Sequence, residues 1–494
     1  MWTKSDFHPA GAEGDVFFAP ASVQQVEGTS ICSAHDAGKA FLMLKTAERN
    51  RFFDDFEGEI TADGAGFVKL APLSGGNAAK LRAYFPWTAP VPVLRRKRSF
   101  GCGDRLGCAT SAHAELFKRF DAAPVFAQQS VRELTLTHRT FQSVIDDASF
   151  QVFQANYQGG FGADGDHLKS FEHIGQALEA GVTMLTLDLS EQLKPQYAEA
   201  DEAEVRAAYA NLPAELRNRI ERTYGDVPAL GLHFTELERM RCALIYTGAM
   251  DFSAQVHDFL VRHGGEETDL EISIDETTAP TLPEHHYFVA SELKYRNVPF
   301  VSLAPRFIGE FQKGIDYIGD LAEFERQFAA HARIADYFGS YKISVHSGSD
   351  KFSAFPVIGR LTNGRFHLKT AGTSWLEAVR AIALEDPVLF RKMLKTAFAS
   401  LDDARKLYHV TADFASLPDP DAISEKDMPG LLAADCVPGR QLLHITYGAM
   451  LGGSDPALTE GIRRFLLAHA DGYAKCIEAH FTKHLTLLGI AETK

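Results

Sequence analysis

The chain has 494 residues, of which 45% are hydrophobic and 23% are charged. This composition excludes an intrinsically disordered protein and allows a large core with more than one domain. A formal net charge of −15 argues against a nucleic-acid partner, because a phosphate backbone selects basic proteins.

Cysteine use and hydropathy bear on the compartment. The six cysteines include no CxxC pair, so reduced thiols are expected rather than disulfides or a thiolate zinc site. The first residues contain no apolar run of signal-peptide length, and no later run is long enough to span a bilayer. We therefore expect a cytoplasmic protein with no membrane partner.

Three regions are predicted along the chain. Residues 1–92 combine short apolar runs with glycine-rich turns, which predicts a β-rich N-terminal layer. Residues 93–383 alternate strand-like runs with helical stretches, a pattern that favours parallel strands, and carry a helical insertion at about 190–268. Residues 384–494 are predicted to be mostly helical, and to wrap the middle region or join copies of the chain as a homo-oligomer.

The middle region is predicted to be a barrel. Seven strand-like runs are evident, and an eighth is expected near residues 150–161. Strands alternating with helices predict an α/β fold, a (β/α)8 TIM-like barrel, although an open α/β sheet is the alternative. One predicted helix repeats apolar residues at helical spacing, from Leu321 to Ala335. The seven runs are 98–102, 124–129, 182–188, 270–275, 299–304, 341–346 and 366–370.

Polar side chains follow several of these strands. Asp104 and Arg105 come after the first run, and Gln128 lies at the end of the second. At the carboxyl rim of a barrel such groups could hold the hydroxyls or the carboxylate of a small substrate. Lys369 and Thr370 fit the last strand in the same way.

Residues 160–165 formally match GxGxxG, but Asp164 and Asp166 would direct negative charge at the phosphates of a dinucleotide. The stretch is interpreted instead as a catalytic loop that brings together Asp166, His167 and Lys169. Neighbouring residues on a regular strand point to opposite faces, so this loop must be irregular, and its glycines allow that. A solvated acidic turn is the alternative.

Two later strands end in charged groups. Asp275 and Glu276 would repel each other at the barrel mouth, which raises the pKa of one and suits an acid–base role, unless they are helix-capping acids. The next strand exit delivers Arg306, suited to a carboxylate, and Glu310, suited to a divalent ion.

The segment 341–351 carries the strongest signal. Its strand begins with Lys342, ends in His346 and breaks at once into a polar loop with Ser347 and Lys351. A histidine placed in this way can bind a metal and the hydroxyls of a small polar substrate. The alternative is a core histidine in an ordinary turn.

A metal site is predicted from His167, Glu310 and His346. Two histidines and one carboxylate leave coordination positions open for substrate oxygens. Such a nitrogen and oxygen set accepts Zn, Mn, Ni or Co, and no compact spacing such as HExxH supports it. Three further histidines are interpreted as surface or helix-face residues: His285, His286 and His331.

Six uncommon motifs occur in order through the middle region. They are FGCGDRLG from Phe100, PVFAQQS from Pro124, GADGDHLK from Gly162, IDET from Ile274, LAPRFIGE from Leu303 and KISVHSGSDKF from Lys342. Together they resemble the tagaturonate epimerase family. The resemblance covers the barrel region, and the two terminal regions match little.

The resemblance implies a metal-dependent epimerase that interconverts the keto-uronates D-tagaturonate and D-fructuronate in hexuronate catabolism. These sugar acids differ at the hydroxyl-bearing carbon β to the ketone, whose C–H bond is not acidified, so retro-aldol cleavage and re-addition are expected. The expected site comprises Asp166 and Glu276 for catalysis, His167, Glu310 and His346 for the metal, and Asp104, Arg105, Gln128, Lys169, Arg306, Lys342, Ser347 and Lys351 for the substrate.

Other functions use the same parts. A metal-dependent epimerase of the ketoses tagatose and fructose, or an aldolase, would differ in its products. A non-catalytic sugar-acid binding protein is a separate class, disfavoured because binding alone needs no clustered acid–base pair. An epimerase with bound NAD is disfavoured because no dinucleotide fold is predicted.

Overall fold

The computed structural model describes residues 3–5, 12, 14–277 and 279–493. These residues form an N-terminal antiparallel sheet, a closed parallel barrel and a set of C-terminal helices. None of the helices in these ranges is long and apolar enough to cross a bilayer.

The N-terminal sheet packs on the outside of the barrel. Leu42 and Leu44 lie in one apolar cluster with Phe150 and Phe153, which belong to a barrel helix. The sheet therefore covers part of the barrel wall. Its strands are β1 (Thr3–Lys4), β2 (Phe17–Phe18), β3 (Gln24–Val26), β4 (Thr29–His35), β5 (Ala40–Thr46), β6 (Glu59–Asp63) and β7 (Gly66–Pro72), with helices α1 (Arg51–Asp55) and α2 (Gly75–Tyr84).

The middle region forms a closed barrel of eight parallel strands, which confirms the predicted fold class. Its strands are β8 (Ser99–Cys102), β9 (Ala123–Ser130), β10 (Gly162–Leu168) and β11 (Met184–Asp188), then, after a separate hairpin of β12 (Asp226–Val227) and β13 (Leu232–His233), β14 (Asp269–Ile274), β15 (Ser302–Pro305), β16 (Lys342–Val345) and β17 (Phe366–Thr370). Strand β17 pairs with β8, and this pairing closes the barrel.

Helices surround the barrel and continue beyond it. Those of the barrel region are α3 (Thr110–Phe117), α4 (Val131–Thr137), α5 (Phe141–Ala155), α6 (Phe171–Ala180), α7 (Glu202–Ala210), α8 (Ala214–Thr223), α9 (Glu236–Arg262), α10 (Pro283–Tyr295), α11 (Leu321–Phe338), α12 (Phe355–Leu361) and α13 (Thr373–Glu385). Those that follow are α14 (Pro387–Ala399), α15 (Leu401–Arg405), α16 (Val437–Ile445), α17 (Tyr447–Leu451), α18 (Pro456–Ala468) and α19 (Ala470–Leu487). Helix α19 contacts the barrel wall, where the Phe481 and Phe100 ring centroids are 5.7 Å apart.

The eighth strand is not at residues 150–161, where it was expected, but immediately after them at β10. Residues 150–155 belong to helix α5 instead. Strand β10 carries glycines and aspartates, which are poor strand formers, so its sequence does not read as a strand. Tertiary packing requires a glycine at position 165, because a Cβ atom at Gly165 would lie 3.1 Å from Ala177 Cβ of helix α6.

The histidines of helices α10 and α11 are buried, contrary to a surface placement. His286 Nδ1 lies 3.0 Å from His331 Nδ1, and the Tyr341 hydroxyl lies 2.8 Å from His286 Nε2. Burial lowers the pKa of His286 well below its usual value, so the imidazole is neutral. These hydrogen bonds join the two helices to the start of β16 and satisfy polar groups that would otherwise be costly to bury.

Candidate active site

A cavity of about 320 Å³ lies at the carboxyl ends of the barrel strands. This end of a parallel barrel is where the connecting loops converge and where active sites of this fold lie. Ionisable groups from several strands line the cavity: Asp166, His167, Asp188, Asp275, Glu276, His346 and Lys369.

His346, at the end of β16, is held between two carboxylates. Its Nε2 lies 2.7 Å from Glu271 Oε1, and its Nδ1 lies 3.2 Å from Asp275 Oδ1. Burial lowers the pKa of His346, but Asp275 and Glu271 outweigh burial and raise it to about 10. Although burial raises the pKa of Asp275, His346 outweighs that effect and lowers it to about 2.

Asp166 and His167 face the same cavity because strand β10 is irregular at its end. The register of its pairing with β11 shifts between Gly165 and Leu168, and His167 adopts a φ of 55°. His167 Nδ1 lies 3.2 Å from Asp188 Oδ2, and its ring centroid lies 4.9 Å from that of His346. The two imidazoles therefore belong to one site.

Lys369 of β17 contacts three carboxylates, which the sequence did not predict. Its side chain is only 4% exposed, and its Nζ lies 2.8 Å from Asp164 Oδ2, 3.5 Å from Glu271 Oε1 and in contact with Asp166 Oδ1. Burial raises the pKa of Asp164 to about 6, whereas Lys369 and His167 overcome burial and lower the pKa of Asp166. Lys369 thus keeps Asp166 ionised.

The rim of the cavity carries a second ammonium group. Lys169 Nζ lies 3.5 Å from Asp188 Oδ2, 3.8 Å from Glu276 Oε2 and 2.8 Å from Ser190 Oγ. The Glu276 side chain is 42% exposed. Glu276 can therefore exchange protons with solvent while it faces the cavity.

Cationic groups form another wall. Arg105 pairs with Glu133 at 2.6 Å and lies 3.6 Å from the ring centroid of Tyr447. Lys313, from the loop after β15, donates a hydrogen bond to Ser347 Oγ at 3.0 Å. Burial lowers the pKa of Lys313. The sequence did not single out Lys313, because it lies in a loop with no strand pattern.

Five of the predicted site residues lie outside the cavity lining. Glu310 pairs through its backbone with Ile318, and its carboxylate lies 3.8 Å from His409 Nε2 rather than beside either cavity histidine. The guanidinium of Arg306 donates to the backbone carbonyl of Thr277. Both residues therefore shape the loops around the barrel mouth.

The other three are Asp104, Lys342 and Lys351. Asp104 accepts hydrogen bonds from four backbone N–H groups, three in the loop before α3 and one at the first residue of that helix. Lys342, at the opposite end of the barrel, donates to Ser99 Oγ at 2.7 Å, and burial lowers its pKa to about 7. Lys351 donates to three backbone carbonyls, which leaves its ammonium no free donor.

Carboxylates orient both of the cavity histidines. Glu271 holds Nε2 of His346, and Nδ1 of the same ring is buried 3.2 Å from Asp275 Oδ1, with which it forms an ion pair but no well-aligned hydrogen bond. Asp188 likewise holds Nδ1 of His167, whose Nε2 lies 3.8 Å from Asp166 Oδ1. Carboxylates that orient histidines in this way are typical of the surroundings of metal sites.

Two groups of donor atoms among the described residues lie close enough together to hold a cation. In the first group, His167, Asp188 and Glu276 have ligand atoms within 4.8 Å of one another, and the Lys169 ammonium lies 3.5 Å from Asp188 and 3.8 Å from Glu276. A second group lies outside the cavity, where both nitrogens of its His484 are engaged and Arg440 pairs with its Asp350 at 3.0 Å. That group is a structural link between the 347–351 loop and helices α16 and α19.

Comparisons with known proteins agree with each other. A family model described as tagaturonate epimerase, UxaE, matches residues 19–488. A tagaturonate/fructuronate epimerase from Thermotoga maritima is 40% identical over 445 residues, which cover 87% of this chain and 91% of the relative.

Solved structures give the same result. The native crystal structure of fructuronate-tagaturonate epimerase UxaE from Cohnella laeviribosi has a TM-score of 0.91 and 44% identity, and covers 97% of each chain. A glycerol complex of the same protein has a TM-score of 0.91 and 43% identity, and covers 96% of each chain.

Proposed function

The chain belongs to the tagaturonate epimerase family, and we propose that it interconverts D-tagaturonate and D-fructuronate in hexuronate catabolism with the help of a divalent cation. The observation that carries this proposal is a pair of histidines, each held by a carboxylate, whose ring centroids lie 4.9 Å apart in a cavity that also holds acid–base groups.

Retro-aldol chemistry suits these substrates. The carbon that changes configuration carries a hydroxyl group and is β to the ketone, so its C–H bond gains no acidity from the carbonyl. A base can instead remove the hydroxyl proton, and the adjacent C–C bond then breaks to give an aldehyde and an enediolate. Rotation of the aldehyde and re-addition of the enediolate to its other face give the epimer.

Asp166 and Glu276 are proposed as the two acid–base groups. One carboxylate accepts the hydroxyl proton of the first epimer, and the other donates a proton to the new alkoxide of the second. They come from the ends of β10 and β14, so they reach the substrate from different positions on the rim. Lys369 keeps Asp166 ionised, and Lys169 lies beside Glu276.

His167, His346 and Asp275 are proposed to hold the cation, and Asp275 takes the place that the sequence gave to Glu310. Such a cation would stabilise negative charge on the ketone and enediolate oxygens. The donor set is compatible with Zn, Mn, Ni or Co.

Four predicted substrate-binding residues line the cavity: Arg105, Gln128, Lys169 and Ser347. Gln128 donates to the carbonyl of Thr370 at 3.3 Å, and its Oε1 is buried with no partner among the described residues. An unpaired buried acceptor is costly, so we propose that Gln128 Oε1 accepts a hydrogen bond from a substrate hydroxyl.

Product analysis tests the activity. Metal-loaded protein incubated with D-tagaturonate is expected to give D-fructuronate, identified by NMR, and chelation of the metal is expected to remove the activity. Addition of Zn, Mn, Ni or Co should restore it. Accumulation of three-carbon fragments would favour an aldolase, and activity that ignores chelation would contradict the metal dependence.

Isotope exchange tests the bond that breaks. In deuterated water the product is expected to carry no deuterium at the epimerised carbon, because retro-aldol cleavage leaves its C–H bond intact. The measurement is the proton NMR integral at that carbon after equilibration. Stoichiometric incorporation of deuterium there would contradict the mechanism and indicate direct deprotonation.

A further inference from the structure

The cavity lining carries charged groups of both signs. The ends of β10, β11 and β14 supply the carboxylates Asp166, Asp188, Asp275 and Glu276. The lining also includes the cations Arg105, Arg132 and Lys313, and Glu133, which pairs with Arg105. A keto-uronate has a carboxylate at one end and a ketone among hydroxyl groups at the other.

The cations of the cavity differ in what neutralises them. Arg105, Lys169 and Lys369 each pair with a carboxylate. Lys313 forms no salt bridge with any carboxylate in the part of the chain that the structure describes. Its one hydrogen bond, to Ser347 Oγ, leaves two of the three donors of the ammonium unused.

The residues on both sides of Lys313 are held by helix α16 and by Lys351. Gln441 donates to Gln312 Oε1 at 3.0 Å, and Arg440 donates to the carbonyl of Gly314 at 2.6 Å. Lys351 also donates to the carbonyl of Gln312. The loop therefore presents a cation in a fixed position, which reduces the entropy that a bound ligand would otherwise lose.

We infer that Lys313 binds the carboxylate of the substrate, and so makes the enzyme select uronates over neutral ketohexoses. This inference rests on the proposed function. A half-buried ammonium without a counter-ion favours an anionic ligand, and a charge-assisted hydrogen bond would form when that ligand arrives. Because Ser347 follows His346, the carboxylate end would lie beside the Ser347 hydroxyl and the ketone end would lie toward His167.

Arg132 is a weaker candidate for the same role. It too forms no salt bridge within the described residues, but its side chain is exposed at the rim, where it donates to the carbonyl of Leu407 at 3.2 Å. Solvent screens an exposed charge, so Arg132 is expected to contribute less than Lys313.

Steady-state kinetics with a charged and a neutral sugar test the inference. Lys313→Met is expected to raise KM for D-tagaturonate by about 10- to 100-fold, the effect of losing one charge-assisted hydrogen bond. The inhibition constant of D-tagatose, measured against D-tagaturonate, is expected to change less than about twofold, because a hydroxymethyl group replaces the carboxylate. Lys313→Gln, which keeps a donor without the charge, should behave like Lys313→Met, and Lys313→Arg should keep most of the affinity.

Lys426→Met is the matched control, since it removes the same charge from an exposed lysine outside the cavity lining. An unchanged KM in Lys313→Met, or an equal weakening of D-tagatose, would overturn the inference. If Lys313→Met gives such a result but the wild-type protein converts D-tagaturonate, the inference about Lys313 fails and the proposed function still holds. Wild-type protein that does not convert it would contradict the proposed function itself.

Discussion

Replacing Glu276 with Gln is expected to lower kcat for D-tagaturonate by about 100- to 10,000-fold, the usual contribution of a general acid or base. Gln has nearly the shape of Glu but cannot accept or donate the proton. The side chain is 42% exposed, so the loss of its charge should not unfold the protein. NMR of the product gives kcat, and elemental analysis gives the metal content, which is expected to stay at the wild-type value.

Replacing the neighbouring residue, Asp275, is expected to affect the metal content instead. Asp275→Asn is expected to lose bound metal, because Asp275 is a proposed ligand and its carboxylate lies 3.2 Å from Nδ1 of His346. Glu172→Gln, an exposed position on helix α6 outside the cavity lining, should keep full activity and full metal content. A fully active Glu276→Gln variant would refute its role, and loss of metal in that variant would assign Glu276 to the cation instead.

Replacing Lys369 with Met is expected to lower the free energy of unfolding by about 3–5 kcal/mol, because the change leaves buried carboxylates without their counter-ion. Asp164, Asp166 and Glu271 all lie within salt-bridge distance of its Nζ. Turnover should fall as well, since the pKa of Asp166 would rise without the ammonium. Urea denaturation of metal-free protein measures the first effect, and the product assay measures the second.

Lys406→Met provides the control for that experiment. Lys406 also pairs with a carboxylate, Asp403, at 2.6 Å, but its side chain is 73% exposed. An exposed pair of this kind contributes about 0–1 kcal/mol, so the control should unfold near the wild-type midpoint. Equal destabilisation by the two substitutions would contradict the importance of burial at Lys369.

The barrel was predictable from the sequence because most of its strands are apolar and bounded by turns or helices. Helix α11 also followed its periodicity, with Phe324, Phe328, Ala332 and Ala335 all buried. Strand β10 escaped detection because glycines and aspartates are poor strand formers; here Gly165 packs closely against helix α6, and Asp164 and Asp166 pair with Lys369. Sequence patterns report local preference, and tertiary packing overrides that preference here.

The site was predictable to the extent that it is built from strand ends. Asp166 and His167 lie in the last part of β10, Glu276 and His346 follow β14 and β16, and all four line one cavity. Glu310 also follows a strand exit, but a loop separates it from that strand and carries it away from the histidines. The direction of a loop depends on contacts that no local pattern contains.

The partners of charged residues were the least predictable feature. Lys351 and Lys313 are both lysines near the barrel mouth, yet backbone carbonyls surround one and the other faces the cavity. The difference arises from the fold of the 306–320 loop and from helix α16, which lies more than a hundred residues further along the chain. Only the folded arrangement separates a structural cation from one that is free to bind substrate.

The position of the cation is the most direct test of the account. Crystals of zinc-loaded protein, measured at the zinc absorption edge, should give an anomalous peak bonded to His167 Nε2, His346 Nδ1 and Asp275. A peak at the Asp350, His480 and His484 group, with none between the two cavity histidines, would contradict the proposed catalytic centre.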